Sequence, residues 1–230
     1  MVLQELKKNL YKTADPERAV NFRRFFKTGK GEYGEGDQFI GITVPEIRKV
    51  AKKHKDLEID ELTELLKSPI HEERMTALII MAMKYPKDEE NIYNLYIKNT
   101  KYINNWDLVD VTCPRIVGAH LLDKPRDILY DFASSNDIWE KRIAIISTAM
   151  FIRNNDFSDT LNISEILLND THDLIHKSVG WMLREVGNRD MGVEEGFLKK
   201  HYKEMPRTML RYAIEKFPEE KRQRYLKGNI

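Results

Sequence analysis

The chain has 230 residues, 41% of them hydrophobic and 10% aromatic, enough to bury a sizeable core within one domain, 1–230. Its longest apolar stretch, Thr76 to Met83, is far short of the ~20 residues of a membrane span, and Met1 to Leu10 has no signal-peptide core, so a cytoplasmic protein with no membrane partner is expected. Cys113 is the only cysteine, which excludes an internal disulfide, and no Cys/His spacing of a zinc site occurs, so neither metal nor cofactor is expected.

The net charge of +1 conceals a segregation. Residues 1–55 hold 13 Lys/Arg against 7 Asp/Glu, and residues 199–230 hold 10 against 4, so each end carries +6 and the middle −11. Basic ends suit phosphate contacts; solvated helix faces explain the same counts.

Apolar residues recur at helical spacing along the whole chain, and no alternating β-branched run stands between turn signals, so the sequence predicts an all-α fold. The first predicted helices are Val2 to Thr13 and Pro16 to Lys27. The segment Thr28 to Gln38, TGKGEYGEGDQ, follows; it lacks a preceding strand and the Lys-Ser/Thr ending of a phosphate loop, carries three acids, and reads as a mobile connection. Thr43-Val44-Pro45-Glu46 then reads as a capping box opening Val44 to Lys53. Ile59 to Lys67, Glu72 to Tyr85 and Glu89 to Asn99 come next.

A helix from Trp106 to Leu122 carries the most unusual segment, NNWDLVDVTCP at 104–114. Trp106 and Asp110 are four apart and Asp107 and Asp110 three apart, so these side chains share a face. Pro114 cannot donate to the Asp110 carbonyl, and a kink is expected there. By themselves the residues also admit a plain core tryptophan and capped or ion-paired aspartates, with Asp107, in the first turn, reading as the cap.

The remaining helices are Pro125 to Ser134, Ile138 to Arg153, Ser158 to Leu168, Asp173 to Val186, Val193 to Lys200, Pro206 to Phe217 and Glu219 to Lys227. Four helices share a basic residue near the start followed by a tight apolar face. They are RMTALIIMAMKY from Arg74, RIAIISTAMFIR from Arg142, KSVGWMLREVG from Lys177 and RTMLRYAIEKF from Arg207, at steps of 68, 35 and 30 residues. A two-helix unit of about this length is the mark of a curved α-solenoid of HEAT-like repeats, with the four cations along its inner side, although ordinary amphipathic helices with a basic residue at their edge give the same pattern. His172 and His176 are four apart, but no general base accompanies them, and a structural or solvated role is expected.

Trp106, Asp107, Val109 and Asp110, then IWEKRIAI at 138–145 and VGWMLRE at 179–185, resemble the bacterial AlkD-like family of alkylpurine DNA glycosylases. The resemblance runs in order from FIGITVPEIRK at 39–49 to the last basic helices. It implies a stack of HEAT-like repeats holding duplex DNA that contains alkylated bases, a monomer without cofactor, and excision of cationic purines. It further implies that Asp110 is the catalytic aspartate, that Trp106 and Trp181 flank it, and that Arg142 grips the backbone. Lys177, Arg184, Arg207 and Arg74 are the further candidates for DNA contact. Asn105 departs from relatives that carry a second tryptophan there. Chemically, an already charged base leaves without a general acid, so one carboxylate can replace the usual pair of a sugar hydrolase. The alternative function is a non-catalytic HEAT-repeat module binding DNA or a protein, and the trio of Asp110, Trp106 and Trp181 is what a scaffold has no reason to keep.

Overall fold

The computed structural model describes residues 2–230. Among the described residues there are fifteen α-helices and no strand, apart from one isolated bridge between Gln38 and Ile70, so the fold is all-α as expected. The chain forms two compact units, residues 1–116 and 117–230. No helix is long and apolar enough to cross a membrane.

The first unit holds α1 (Val2–Tyr11), α2 (Pro16–Phe25), α3 (Val44–Lys53), α4 (Ile59–Leu66), α5 (His71–Lys84), α6 (Glu89–Lys98) and α7 (Trp106–Cys113). Its axis is α5, buried without interruption from His71 to Met81 and packed by α3, α4, α6 and α7. A helix buried on every side reads as apolar all round. Polar residues at its start are therefore engaged internally.

The clearest of these is Glu72, 1% exposed. Its carboxylate accepts the backbone N–H groups of Ile40, Gly41 and Ile42 at 3.1, 2.8 and 3.2 Å, which replace the water lost on burial. Gly41 permits this turn: its φ is +82°, and a Cβ there would stand 2.0 Å from the Asp15 carbonyl oxygen. The chain then enters α3, where Glu46 accepts the Thr43 backbone N–H at 2.8 Å, the reciprocal half of the expected capping box. Arg18 donates to the same carboxylate at 2.8 Å and ties α2 to α3.

The second unit holds α8 (Asp127–Ala133), α9 (Ile138–Ser147), α10 (Ala149–Arg153), α11 (Ser158–Ile166), α12 (Asp173–Arg189), α13 (Met191–His201), α14 (Arg207–Ala213) and α15 (Glu219–Lys227). Here α12 is the axis, packed by α9, α10, α11, α13 and α14. It packs tightly on α14, where a Cβ on Gly180 would lie 2.4 Å from the Met209 carbonyl oxygen.

Three expected helices are interrupted, one of them Pro206 to Phe217, which passes into a 3-10 turn, Ile214–Lys216. Ile138 to Arg153 divides at Thr148, whose hydroxyl donates to the Ile145 carbonyl at 2.7 Å and competes with the helical ladder. Trp106 to Leu122 ends as α-helix at Cys113 and passes into a π-helical turn, Pro114–Gly118, the disruption expected of a proline without an N–H.

Candidate active site

In the first unit the segment around α7 is held from its N-terminus. Asn105 is fully buried; its side-chain oxygen accepts the Trp106 N–H at 2.9 Å, and its amide nitrogen lies 3.3 Å from Asp37 Oδ2. A tryptophan, which has a side-chain donor but no acceptor, could not take the Trp106 N–H. Trp106 stacks on Phe26 at 5.3 Å between ring centroids and meets Phe25 edge-on at 5.8 Å. Phe26 in turn stacks on Phe39 at 4.8 Å, so the indole extends a row of rings from α2 and the segment before α3. Beneath Phe22, Phe25, Phe26 and Phe39 is a cavity of about 170 Å³, floored in part by His71 and Asp107.

Asp107 is buried rather than a surface cap. Its Oδ1 accepts the Leu108 N–H at 2.9 Å, but Oδ2 faces His71 Nε2 at 2.9 Å, and the other nitrogen of that ring, Nδ1, faces Asp37 Oδ2 at 2.8 Å. Arg74 Nη2 donates to Asp37 Oδ1 at 2.5 Å. Burial works against a charged imidazole, but Asp107 and Asp37 outweigh it and raise the His71 pKa to about 9. Burial likewise works against the Asp37 carboxylate, yet His71 and Arg74 hold it below the usual range. Asp107, His71, Asp37 and Arg74 therefore form a row of alternating charge inside the unit.

Residues 28–38 connect α2 to α3, as expected, and also supply part of this row. They are not a bare connection: Gly29 and Gly31 donate to the side chains of Glu32 and Glu35, both at 2.8 Å, Gly34 donates to the Lys27 carbonyl at 3.0 Å, and the segment delivers Asp37 into the interior. Nothing in the sequence paired Asp37 with His71, 34 positions away; the one available signal was an acid at the end of a glycine-rich segment and a histidine opening an apolar helix.

Asp110 sits one turn beyond Trp106 on α7, half-buried. It is close enough to the buried Tyr96 phenol to add to the upward shift that burial produces there.

In the second unit Trp181 lies on α12, half-buried, with its indole N–H donating to Glu185 at 2.9 Å. Lys177, one turn earlier, pairs with Asp173 at 2.7 Å and keeps an exposed side chain. Arg184 is ion-paired with Glu215. Arg142 on α9 is 5% exposed and donates to the Leu174 carbonyl at 2.6 Å, while Arg207 at the start of α14 is exposed and donates to the Leu226 carbonyl at 2.7 Å. The four basic residues of the repeated pattern thus divide: Arg74 and Arg142 point inward, Lys177 and Arg207 outward. His172 accepts the Leu174 N–H at 3.2 Å and His176 bonds the Asp170 carbonyl.

The family model for DNA alkylation repair enzymes matches residues 6–217. The chain belongs to this family. Among solved structures, a protein described as a predicted DNA alkylation repair enzyme from Enterococcus faecalis superposes with a TM-score of 0.73 at 16% identity, over 90% of this chain and 98% of that one. At that identity the likeness establishes a common fold. No curated protein sequence matches. As a family member the chain has a role in repair of alkylated DNA, and α7, with Trp106 and Asp110 on one face, lies inside the matched region.

Proposed function

We propose that this protein is a DNA glycosylase that hydrolyses the N-glycosidic bond of N7-alkylguanine and N3-alkyladenine in duplex DNA. Residues 1–230 act as one HEAT-like glycosylase domain, a cytoplasmic monomer needing neither metal nor cofactor. The observation that carries the reading is Trp106 and Asp110, one helical turn apart on α7 in a member of the alkylation repair family.

In the reaction the C1′–N bond breaks and its electron pair neutralises the cationic base, so no general acid is needed. Asp110 stabilises the positive charge that develops on the deoxyribose and orients the water whose oxygen joins C1′, and the proton of that water passes to Asp110 or to solvent. The faces of Trp106 and Trp181 favour a cationic sugar through their negative quadrupoles. Trp106 is suited to this because the stack on Phe26 fixes its ring before substrate arrives. Lys177 and Arg207, whose side chains reach solvent, supply phosphate contacts first; Arg142 and Arg184 do so by exchanging their present partners, the Leu174 carbonyl and Glu215. The test is release of 7-methylguanine from methylated duplex DNA by the purified protein in the presence of chelator and absence of nucleotide.

One observation favours a second reading, a non-catalytic HEAT-repeat module. Arg74 and Arg142 bond internal partners, which leaves fewer cations to grip a duplex. Absence of base release together with retained duplex or protein binding decides for it.

A further inference from the structure

A second concavity in the first unit is lined in part by Asp37 and Arg74, two members of the buried row. It has a volume of about 240 Å³ and is lined by Lys67, Ser68, Arg74 and Lys101, with Tyr102 and Asn104 beside them and Glu35, Gly36, Asp37 and Pro69 completing the wall. Three cations and two acids border it. The acids are already engaged: Asp37 is bonded by His71 and Arg74, and Glu35 accepts the Gly31 N–H at 2.8 Å. The cations are less so. Lys67 and Lys101 are exposed and form no ion pair among the described residues, although Lys101 rests over the Tyr102 ring at 5.0 Å.

Arg74 is the distinguishing feature. It is 4% exposed, its Nη1 and Nη2 reach the Ser68 carbonyl and Asp37, and its Nε–H has no partner. Asn104 adds a second buried polar atom, Oδ1, that also lacks one. Two unsatisfied buried polar atoms in the wall of one small polar concavity are uncommon, since nearly all such atoms find a partner. A tetrahedral oxyanion supplies what the Arg74 Nε–H lacks: its oxygens accept from that N–H, from the two lysine ammoniums and from the Ser68 hydroxyl, whereas Asn104 Oδ1 is itself an acceptor and only the side-chain NH₂ of Asn104, turned inward, can donate to the anion.

We propose that this concavity is a phosphate-binding subsite, with Lys67 and Lys101 as its rim and Arg74 as its floor, and that its occupant is one phosphodiester of a DNA backbone. The choice of DNA as the source of the phosphate rests on the repair reading; the affinity for phosphate does not. Because Asp37 joins both Arg74 and His71, an occupant here touches the same buried row that holds Asp107 on α7.

The experiment uses the full chain and the double variant Lys67→Ala/Lys101→Ala, whose changes are at exposed positions and spare Arg74. Inorganic phosphate and an undamaged duplex are the two probes, so neither arm depends on excision. In the duplex arm the parent's affinity falls with salt, and the variant's log–log slope is shallower by roughly one counterion, with affinity reduced roughly tenfold at low salt. In the phosphate arm, millimolar phosphate raises the parent's Tm by about 2 °C or more beyond a chloride control of equal ionic strength, and the variant loses that rise. A duplex effect without a phosphate effect supports the DNA backbone as the occupant. A phosphate effect without a duplex effect supports the subsite and overturns its assignment to DNA. A variant that matches the parent with both probes, its fold verified by circular dichroism, overturns the proposal, whether or not the protein proves to be a glycosylase.

Discussion

His71 Nε2 lies 2.9 Å from Asp107 Oδ2, and through its other nitrogen the same ring reaches Asp37, so a buried imidazolium links the start of α7 to the glycine-rich segment before α3. The carboxylate beside Trp106 is thus part of the fold's interior, while Asp110, one turn on, is half-buried.

That distinction sets the first prediction. As a cap alone, Asp107 would contribute about 1 kcal/mol. As one partner of a buried charged row its loss leaves His71 with Asp37, shared with Arg74, as the remaining counter-charge, and Asp107→Asn is expected to destabilise the protein by about 2 kcal/mol or more. Urea denaturation of parent and variant measures it; a loss below ~1 kcal/mol returns Asp107 to the role of a cap.

His71 also carries a pH dependence. Its folded pKa, about 9, lies above the ordinary 6.5, so its stabilisation is present in full below pH 6.5 and is lost as pH rises through 9. In His71→Gln the fall in Tm between pH 7 and 9.5 should be shallower than in the parent. Equal slopes in the two proteins would remove the imidazolium from the account.

Glu194 in the second unit works in an overlapping window. It is 1% exposed with no partner for Oε1; burial, then the neighbouring Glu195, raise its pKa to about 8. An acid raised in the folded state costs nothing below pH 4.5, and its penalty grows up to pH 8 and is constant above. Glu194→Gln is therefore expected to stabilise the protein at pH 8 by a few kcal/mol, on the order set by 1.4 kcal/mol per pKa unit, and to do so far less at pH 5. Thermal melts at the two pH values check this.

Gly180 tests the packing behind Trp181. A Cβ there would meet the Met209 carbonyl oxygen at 2.4 Å and Tyr212 Cβ at 2.6 Å, both on α14. Gly180→Ala is expected to lower stability by about 1–3 kcal/mol although alanine is the better helix former. A stabilised variant would mean that α12 and α14 are less tightly apposed.

The sequence made the helices legible because their apolar spacing is local information. Glu219 to Lys227 coincides with α15, and the break after Cys113 follows from Pro114 alone. The break at Thr148 was not legible, since a threonine hydroxyl turns back on its own helix only where packing lets it. Trp106 and Asp110 stood out by composition and spacing. The row joining Asp107, His71, Asp37 and Arg74 did not, because its members lie on three separate segments and meet only through tertiary structure. For the same reason Arg74 looked like a surface cation: helical periodicity gives a residue's face but not whether a carboxylate 37 positions away will claim it.

The most direct measurement of the central proposal is single-turnover release of 7-methylguanine from duplex DNA by Asp110→Asn beside the parent, with Asp107→Asn as the comparison and folding verified by thermal melts. Asp110→Asn preserves shape and removes the charge proposed to stabilise the developing sugar cation, so its excision rate should fall roughly a hundredfold or more while its affinity for damaged duplex is unchanged or higher. Asp107→Asn should instead lose stability first, with excision recovered where the variant remains folded. Excision by Asp110→Asn at the parent rate would contradict the catalytic assignment.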